Sequence, residues 1–599
     1  MEGRRRWQWR VERPALLKVA AAIGLAVLSV VAYAVELQRN GLGNPFYAAA
    51  VQSGAHSVHN AFFAAITFDG SVSVDKPPLS LWMMEASVRV FGLTSFGELL
   101  PDAICGIATT AVVVLMVREW TSVRWGLFAG LLSLASPMAN VMFRFNNPEA
   151  LLTLLTTAAV WSLTSAMRRP KLWKVVCAGA LFGAAILTKL LVGVIILPVV
   201  VLAYAALAPT SPLRRLGHLA ALAGSILVSA GWYFVAVAMT PQSHRPWLDG
   251  TDDDRPLTLL ISSTTGRMLG KGHSHTSAPG LLRMFNHEEL ANYGPLIVLA
   301  LATAVFVLTA ALRTHRGDLR YLVNLRGDRR PPGAASVALV LIAASLWVCM
   351  IMSFAQAGYH SYYAVIGMPV MAAGVTIGVR YLWHQASTTL RRWSLVAILI
   401  TSAGFDAAVW SAYSTSWVFD AVLAGLALLG TVALIVRRGA QLGLAVLLLV
   451  ALILPGYYTT LSWRDHHNGG APLGGPLGAQ APWDAYAPRP NDFWFPSRVT
   501  PQLRTVLQSA GAYRYAVAVE GDEQAGCIQL ATGVTVLPLT GWLFPIPGIQ
   551  DRLIGLISDH AIRYFLPSRR PTDISRWVQT HFASIQVGDQ VVYDFSTPL

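Results

Sequence analysis

Two acid–lysine combinations in this sequence have residue types that could do chemistry. The first is Asp75-Lys76, which is followed by Pro77-Pro78. The prolines keep residue 76 out of a helix, so the carboxylate and the ammonium point to opposite sides of an extended chain. A fixed carboxylate beside a fixed lysine suits a site that handles a hydroxyl group and a phosphate. A surface turn with an ordinary charge pair is the alternative interpretation.

The second combination is Glu149 with Lys189. Glu149 ends the polar segment Arg144-Phe145-Asn146-Asn147-Pro148-Glu149 at the predicted start of a membrane helix, where an acid also stabilises the helix end. Thr188-Lys189 lies where two apolar segments meet with hardly any loop between them. A lysine at this depth needs a partner, unless its side chain extends to the membrane surface.

A long polar segment at 240–292 carries further candidate ligands. Its charged and histidine residues include His244, Arg245, Asp252, Asp253, Asp254, Arg267, Lys271, His273, His275 and Arg283. His273 and His275 are spaced so that they could bind a metal, but no carboxylate or cysteine motif completes such a site. A polar loop is therefore the preferred interpretation of these two histidines.

A shorter polar segment at 355–362 leads into Tyr362 and Tyr363. Aromatic residues are expected where helices meet the membrane surface, so the tyrosines alone say little about function. His360 between Tyr359 and Tyr362 is less easily explained in this way and is a candidate site residue.

These residues must be positioned by membrane helices, because the chain is too apolar for a soluble protein. Of its 599 residues, 54% are hydrophobic and 13% are charged, which is about half the charged fraction of a soluble chain. Apolar runs of about 18 residues predict membrane helices. Thirteen are predicted, at 15–37, 100–117, 125–143, 149–167, 172–188, 190–209, 217–239, 293–312, 335–354, 363–383, 394–413, 416–436 and 440–460.

The basic residues predict which way these helices run. With the N-terminus inside, the inner segments hold 25 of the 45 Lys and Arg residues, and the outer loops hold 10. Cytoplasmic loops collect such residues, so the net charge of +14 is a topology signal and nucleic acid is not a predicted partner. An odd number of spans places the C-terminus outside, with the polar loops 38–99, 240–292 and 355–362.

Three regions are predicted along the chain: a membrane domain at 1–460, a Gly/Pro-rich linker at 461–490 and an exported domain at 491–599. Apolar runs in the last region alternate with helix-like stretches, which favours a small α/β fold. The strands are predicted at Tyr515–Val519, Val534–Leu537, Ile562–Leu566 and Val591–Phe595, and the helices at Gln502–Ser509, Ile549–Ser558 and Asp573–His581.

Taken together, these pieces resemble the GT-C glycosyltransferases. Within that family the chain resembles the bacterial branch related to protein O-mannosyltransferases and to the lipid A aminoarabinose transferase. The matching residues are Asn44-Pro45-Phe46-Tyr47-Ala48, Ser73 to Pro78, Asn146-Asn147-Pro148-Glu149, Thr188-Lys189, Arg245-Pro246, Gly266-Arg267, Arg283, His360-Ser361-Tyr362-Tyr363 and, in the exported region, Ala561 to Phe565. No Walker loop, dinucleotide fingerprint, GxSxG elbow or HExxH motif is present in the sequence.

The resemblance implies a fold and an activity. The fold is an all-α polytopic membrane domain of about 13 transmembrane helices with a small C-terminal extracytoplasmic α/β domain, in the bacterial plasma membrane. The implied reaction moves a sugar, a hexose or pentose such as mannose, from a polyprenyl-phosphate-linked donor to an extracytoplasmic acceptor, by direct displacement with inversion. No cofactor is implied, and dependence on a divalent metal is left open.

The resemblance also implies roles for individual residues. Lys76, Lys189 and either Arg245 or Arg267 would contact the donor phosphate. The substrate pocket would include Asn44, Tyr47, Asn147, His360, Tyr362 and Tyr363. Relatives have an acid just after the first helix, where this chain has Gly43-Asn44-Pro45. The catalytic base is therefore open between Asp75, the first choice, and Glu149.

Two other functions fit a polytopic chain. A transporter or flippase of lipid-linked substrates would need polar residues deep in several helices, near the middle of the bilayer. A non-catalytic envelope scaffold would not need Lys76, Lys189 and an acid at one face. The clustering of these residues at the predicted outer ends of the helices favours the glycosyltransferase.

Overall fold

The structure is a computed structural model of the chain. It describes residues 13–261, 278–314, 331–356, 359–386, 388–436, 439–480, 499–541, 544–568 and 572–598. The first four-fifths of the chain is helical, and the C-terminal tail contains a five-stranded sheet.

The helices of the membrane domain follow one another with short connections. They are α1 (Arg13–Ala34), α2 (Pro45–His56), α3 (Val58–Phe63), α4 (Leu79–Phe91), α5 (Ser95–Trp120), α6 (Val123–Leu134), α7 (Pro137–Met142), α8 (Glu149–Arg168), α9 (Leu172–Lys189), α10 (Leu197–Leu207), α11 (Pro212–Met239), α12 (His287–Tyr293), α13 (Leu296–Thr314), α14 (Ala334–Phe354), α15 (Met368–Gln385), α16 (Thr388–Tyr413), α17 (Trp417–Ile435), α18 (Ala440–Arg464) and α19 (Pro476–Gln480).

The predicted polytopic helical fold is confirmed. Among the described residues, 11 helical segments are long and apolar enough to cross a membrane. Every one of the thirteen predicted segments coincides with a helix, and the two that fall short of a full span are α6 and α10. A helix of 12 residues, such as α6, is about 18 Å long and does not cross a hydrocarbon layer of about 30 Å.

The first predicted loop, 38–99, is more structured than its polarity indicates. It contains the short helices α2, α3 and α4. It also pairs with the second loop through main-chain hydrogen bonds, because Trp247 N donates to Ser71 O at 3.0 Å and Ser73 N donates to Trp247 O at 2.9 Å. The side of the membrane domain on which these two loops lie is called the loop side below.

The tail adds four helices and one sheet to this framework. The helices are α20 (Pro501–Ser509), α21 (Asp522–Thr532), α22 (Ile549–Ser558) and α23 (Asp573–His581), and the strands are β1 (Tyr515–Gly521), β2 (Val536–Thr540), β3 (Ile562–Leu566), β4 (Phe582–Val587) and β5 (Gln590–Pro598). The strand order is β2-β1-β3-β5-β4, with β2, β1 and β3 parallel and the remaining pairs antiparallel.

The predicted small α/β tail is therefore present, with two elements that the sequence analysis missed. One is β4, whose middle residues are largely exposed, so it lacks the apolar run that marked the other strands. The other is α21, which begins with Asp522-Glu523-Gln524 and is buried on nearly all sides. A helix buried between a sheet and a loop has no clear apolar stripe, and its polar start hid it.

The tail and the first loop share a hydrophobic core on the loop side. Buried side chains of α2 and the following segment pack with buried side chains of the sheet: Phe46, Tyr47, Ala49, Ile66, Val72 and Val74 on one side, and Tyr515, Ala518, Leu537, Leu539 and Phe565 on the other. The predicted division at residues 460 and 490 stays a prediction, since residues 481–498 lie outside the described ranges.

Candidate active site

Asn44 fixes the start of α2 and connects it to the segment before α8. Its Oδ1 atom accepts a hydrogen bond from Phe46 N at 3.0 Å, which caps the helix, and Pro45 occupies the first helical position. Its main chain makes two bonds with the Asn146 amide: Asn44 N donates to Oδ1 at 2.6 Å, and Nδ2 donates to Asn44 O at 3.0 Å. The predicted pocket residue Asn44 is thus also a structural residue.

Glu98 of α5 completes this network. Asn146 Nδ2 donates to Glu98 Oε1 at 2.6 Å, and both side chains are fully buried. One turn further along α5, Asp102 is also fully buried, and neither of its carboxylate oxygens has a hydrogen-bond partner within the described part of the chain. Its charge interacts with those of Glu98 and Glu149, so three carboxylates lie in one neighbourhood.

Sequence analysis missed Glu98 and Asp102, although a signal was available. Two acids four residues apart lie on one face of a helix. Inside an apolar helix such as α5, acids are costly and mark functional positions.

Glu149 and Lys189, which are 40 positions apart in sequence, form a buried ion pair. Lys189 Nζ donates to Glu149 Oε1, and both side chains are at most 6% exposed. Lys189 Nζ also lies 4.0 Å from the centroid of the Tyr363 ring and 5.5 Å from that of Tyr362. The structure therefore brings together four predicted site residues from α8, α9 and the 3-10 helix Ser361–Gly367.

The backbone directly after Lys189 is strained. Leu190 has a φ of 52° and a ψ of −143°, a conformation that side-chain-bearing residues rarely adopt. Such strain persists only where the surrounding structure enforces it, and it is concentrated at functional sites. This turn ends α9 and allows Lys189 to reach Glu149 instead of the membrane surface, so the partnered interpretation of Lys189 applies.

His360 and the two tyrosines form one aromatic group. His360 stacks on Tyr362 with ring centroids 5.1 Å apart and packs edge-on against Tyr363 at 5.3 Å. Glu289 of α12 holds this segment, because it accepts hydrogen bonds from Tyr359 Oη and from Ser361 Oγ, each at 3.0 Å. Burial first, and then the charge of Glu288, raises the pKa of the Glu289 carboxyl to about 8.

Asp75 and Lys76 form a second acid–lysine pair. Lys76 Nζ lies 2.5 Å from Asp75 Oδ1, so the two side chains meet instead of pointing apart as predicted. The extended-chain argument was wrong here because residues 75 and 76 lie in a bend between a β-bridge and α4. Lys76 Nζ also lies 5.3 Å from the Tyr47 ring centroid, which joins another predicted pocket residue to this pair.

Two more buried carboxylates, which sequence analysis did not select, surround Asp75. Asp249 follows the paired segment of the second loop, and Asp522 begins α21 of the tail; both are almost fully buried. Burial first, and then the charges of Asp249, Glu523 and Asp75, hold the pKa of the Asp522 carboxyl well above its usual range. Asp522 comes from the helix that was missed, so no sequence signal placed it here.

The remaining predicted residues are placed as follows. Arg245 forms a buried ion pair with Asp254, with Arg245 NH1 2.7 Å from Asp254 Oδ1. Asn147 is buried beside Asn146, and its amide has no hydrogen-bond partner in the described ranges. Arg267 lies outside the described residues, as do Lys271, His273 and His275.

The predicted site residues thus fall into two clusters that α2 connects. One contains Glu149, Lys189, Tyr362, Tyr363 and His360, with Asn146 linking it to Asn44 at the start of α2. The other contains Asp75, Lys76 and Tyr47, one turn into α2. Among the described residues, no group of three or more His, Cys, Asp or Glu side chains is arranged to hold a metal ion.

Two protein families match parts of the chain. Residues 75–234 match the family described as "Dolichyl-phosphate-mannose-protein mannosyltransferase". Residues 503–581 match the family described as "Putative mannosyltransferase YkcB-like, C-terminal". The first match begins at Asp75 and includes Glu149 and Lys189, and the second covers most of the tail.

Two Bacillus subtilis proteins are similar in sequence. "Putative mannosyltransferase YkcB" is 31% identical over 235 residues, which cover 38% of this chain and 33% of that protein. "Putative mannosyltransferase YycA" is 28% identical over 269 residues, which cover 43% of this chain and 38% of that protein. The chain therefore matches little more than a third of the length of these relatives.

A similar fold is found in ArnT from Cupriavidus metallidurans. The crystal structure in the apo state superposes with a TM-score of 0.55 at 17% identity, covering 97% of each chain. The structure of that protein bound to undecaprenyl phosphate gives a TM-score of 0.54 at 16% identity. At this level of identity the likeness concerns the fold, and it extends over nearly the whole chain, tail included.

Proposed function

Because the chain belongs to the GT-C superfamily of membrane glycosyltransferases, we propose that it transfers a sugar from a polyprenyl-phosphate donor to an acceptor outside the membrane. The sugar is a hexose or pentose, and mannose is the first candidate because the matched families and relatives carry that sugar in their names. Undecaprenyl phosphate bound to the ArnT of similar fold supports a polyprenyl carrier.

The observation that carries this proposal is the buried Glu149–Lys189 pair beneath Tyr363 and Tyr362. A lysine buried at the end of a membrane helix is costly and is retained where it meets charge. In the proposed reaction Lys189 stabilises the negative charge that develops on the leaving phosphate. The tyrosine rings exclude water from this position, which strengthens the electrostatic interaction.

The proposed step is a single displacement. A carboxylate takes the proton from the acceptor hydroxyl while the hydroxyl oxygen forms a bond to the anomeric carbon. The bond between that carbon and the phosphate oxygen breaks, and its electron pair leaves on the polyprenyl phosphate. Attack from the side opposite to the leaving group inverts the anomeric configuration. Asp75 and Glu149 are the two candidates for the base, and Lys76 and Arg245 are the proposed additional phosphate ligands.

We place this reaction on the outer side of the bacterial plasma membrane. The excess of Lys and Arg in the segments at the opposite ends of the helices supports this orientation, with the tail exported. A donor carried on a lipid fits this location, since the sugar then reaches the site through the membrane.

Purified protein in detergent or vesicles, incubated with polyprenyl-phosphate-mannose and a panel of lipid, glycan and peptide acceptors, tests the proposal. We expect release of polyprenyl phosphate that depends on an acceptor. Asp75→Asn and Glu149→Gln separate the two candidate bases, and loss of the true base lowers the rate by about 100-fold or more. Asp559→Asn, at an exposed position of the tail, is the control.

Two outcomes contradict the proposal. Absence of turnover with mannose, other hexose and pentose donors would exclude the activity itself. Full activity in both Asp75→Asn and Glu149→Gln would exclude the assigned roles. A chelator added to the same assay measures metal dependence.

A further inference from the structure

We infer that the C-terminal tail positions the active site, by holding α2 and the Asp75-Lys76 segment in place. The inference rests on the proposed function and gives the tail a role within it. It stands on three sets of contacts between the tail and the first loop: a helix crossing, a buried amide and an edge of the sheet.

The helix crossing brings α21 into direct contact with α2. Gly526 lies at the contact, and a Cβ atom there would be 2.9 Å from the Ala49 Cβ atom, closer than side chains pack. Ala49 is two residues from Tyr47, whose ring contacts Lys76. Any displacement of α21 therefore moves the helix that carries the aromatic neighbour of this lysine.

The buried amide is that of Gln529, one turn further along α21. Gln529 is fully buried, and its Oε1 atom accepts a hydrogen bond from Phe68 N at 2.8 Å. Its Nε2 atom donates to Ile66 O at 3.2 Å and to Gln52 Oε1 at 3.3 Å. One side chain thus binds α2 and the main chain of the segment that leads from α3 to Asp75.

A second polar contact fastens the same segment from β1. Tyr515 Oη donates to Asp69 Oδ2 at 2.8 Å, and Arg552 NH2 lies 3.4 Å from the same oxygen. Asp69 and Phe68 are adjacent, so the turn at residues 66–70 is held by the helix and by the sheet of the tail together.

The edge of the sheet closes around Asp75 itself. Gly541 directly follows β2, and a Cβ atom there would lie 2.2 Å from Asp249 Oδ1, so the strand end rests on this carboxylate. Asp249 N in turn donates to Ser73 Oγ at 3.4 Å, two residues before Asp75. Gly250 approaches from the same loop, where a Cβ atom would lie 3.4 Å from the Asp75 Cβ atom. The carboxyl ends of β1 and β2 therefore face the catalytic segment, which is the edge that open α/β sheets use for function.

Two matched pairs of variants in the full-length protein test the inference. Gly526→Leu disrupts the helix crossing, and Gly555→Leu places the same side chain on the exposed side of α22, where no atom lies within 4 Å. Gln529→Met removes the buried hydrogen bonds with little change in shape, and Gln550→Met makes the same change at an exposed position. Gln529→Met keeps the test valid if Gly526→Leu does not fold.

We expect both interface variants to weaken hydrogen-exchange protection of the amides at 64–76 and to lower kcat by about tenfold or more, because small displacements of catalytic groups are costly. The KM for donor and the melting temperature of the membrane helices stay near those of the wild type. The controls change neither quantity.

Loss of protection with unchanged kcat would overturn the positioning role, and so would unchanged protection in both interface variants. Absence of turnover in the wild-type protein refutes the proposed function instead. In that case the exchange pattern alone decides whether the tail holds the segment.

Discussion

At the scale of single residues, Lys189 and Glu149 show how a costly charge is kept inside a membrane protein. Each side chain alone would be a buried, uncompensated charge, and each is made tolerable by the other. The Tyr363 ring adds an electrostatic contact of the cation–π type. This makes stability and function separable at this pair.

Lys189→Met is expected to lower the free energy of unfolding by about 3–5 kcal/mol, because it leaves Glu149 buried without its cation. The double variant Lys189→Met/Glu149→Gln should regain much of this stability and remain inactive. Thermal unfolding in detergent measures both, with Lys18→Met, at an exposed position of α1, as the control. A double variant as unstable as Lys189→Met would contradict the pairing.

Glu289 gives a second prediction at this scale, concerning pH. The folded protein keeps this carboxyl protonated up to about pH 8, whereas the ordinary value is 4.5. The folded state therefore binds more protons than the unfolded state between these values, and stability falls as pH rises through that window. Glu289→Gln keeps an acceptor for Tyr359 and Ser361 and removes this dependence.

We therefore expect Glu289→Gln to melt close to the wild type below pH 4.5 and above it at pH 8. Melting curves recorded between these pH values provide the measurement, with Asp559→Asn as an exposed control. A wild-type protein whose stability rises across this range more steeply than that of the variant would show that the carboxyl is ionised in the folded state.

At the scale of elements, α2 is the part that joins the two clusters of the site. Its capping residue Asn44 is tied to Asn146, next to the Glu149 cluster, and Tyr47 one turn later contacts Lys76. Gly43 precedes the cap with a φ of 68°, and a Cβ atom there would lie 2.3 Å from Asn146 Oδ1. This glycine is required for two reasons, the backbone conformation and the close approach.

Gly43→Ala should therefore cost more than its backbone conformation alone. Gly41→Ala is the matched control, since Gly41 has a φ of 56° and no atom within 4 Å of its Cβ position. Both changes carry a backbone cost of about 1–2 kcal/mol, and only Gly43→Ala also pushes the Asn146 amide away from Glu98. Turnover and unfolding free energy compare the two, and equal losses would show that the Asn146 contact does not matter.

At the scale of the whole molecule, the tail and the loop side form one packed unit. Apolar side chains of the first loop and of the sheet bury one another, and polar contacts from α21 surround that core. The orientation of this unit in the membrane is a prediction from the distribution of Lys and Arg.

A reporter enzyme that is active only after export, fused after residue 599, should therefore be active in cells. The same reporter fused between α15 and α16, near Arg391 and Arg392, should be inactive because that segment is predicted to be cytoplasmic. The opposite pattern would reverse the topology and move the proposed site to the cytoplasmic side.

The sequence by itself determined the membrane helices, because a run of apolar residues long enough to cross a bilayer has few alternatives to a helix. It also determined most strands of the tail and the residue types of the site. Helix α21 and strand β4 could not be predicted, since burial by neighbouring segments, and not local periodicity, sets their character.

Only the tertiary structure decided which of these residues meet. The pairing of Glu149 with Lys189, the presence of Asp102 and Glu98 beside them, and the approach of Asp249 and Asp522 to Asp75 all join positions far apart in the chain. Apolar periodicity depends on neighbours along the chain and carries no information about such contacts. The packing of helices and of the tail sets them, because buried charges are stable only where that packing supplies their partners.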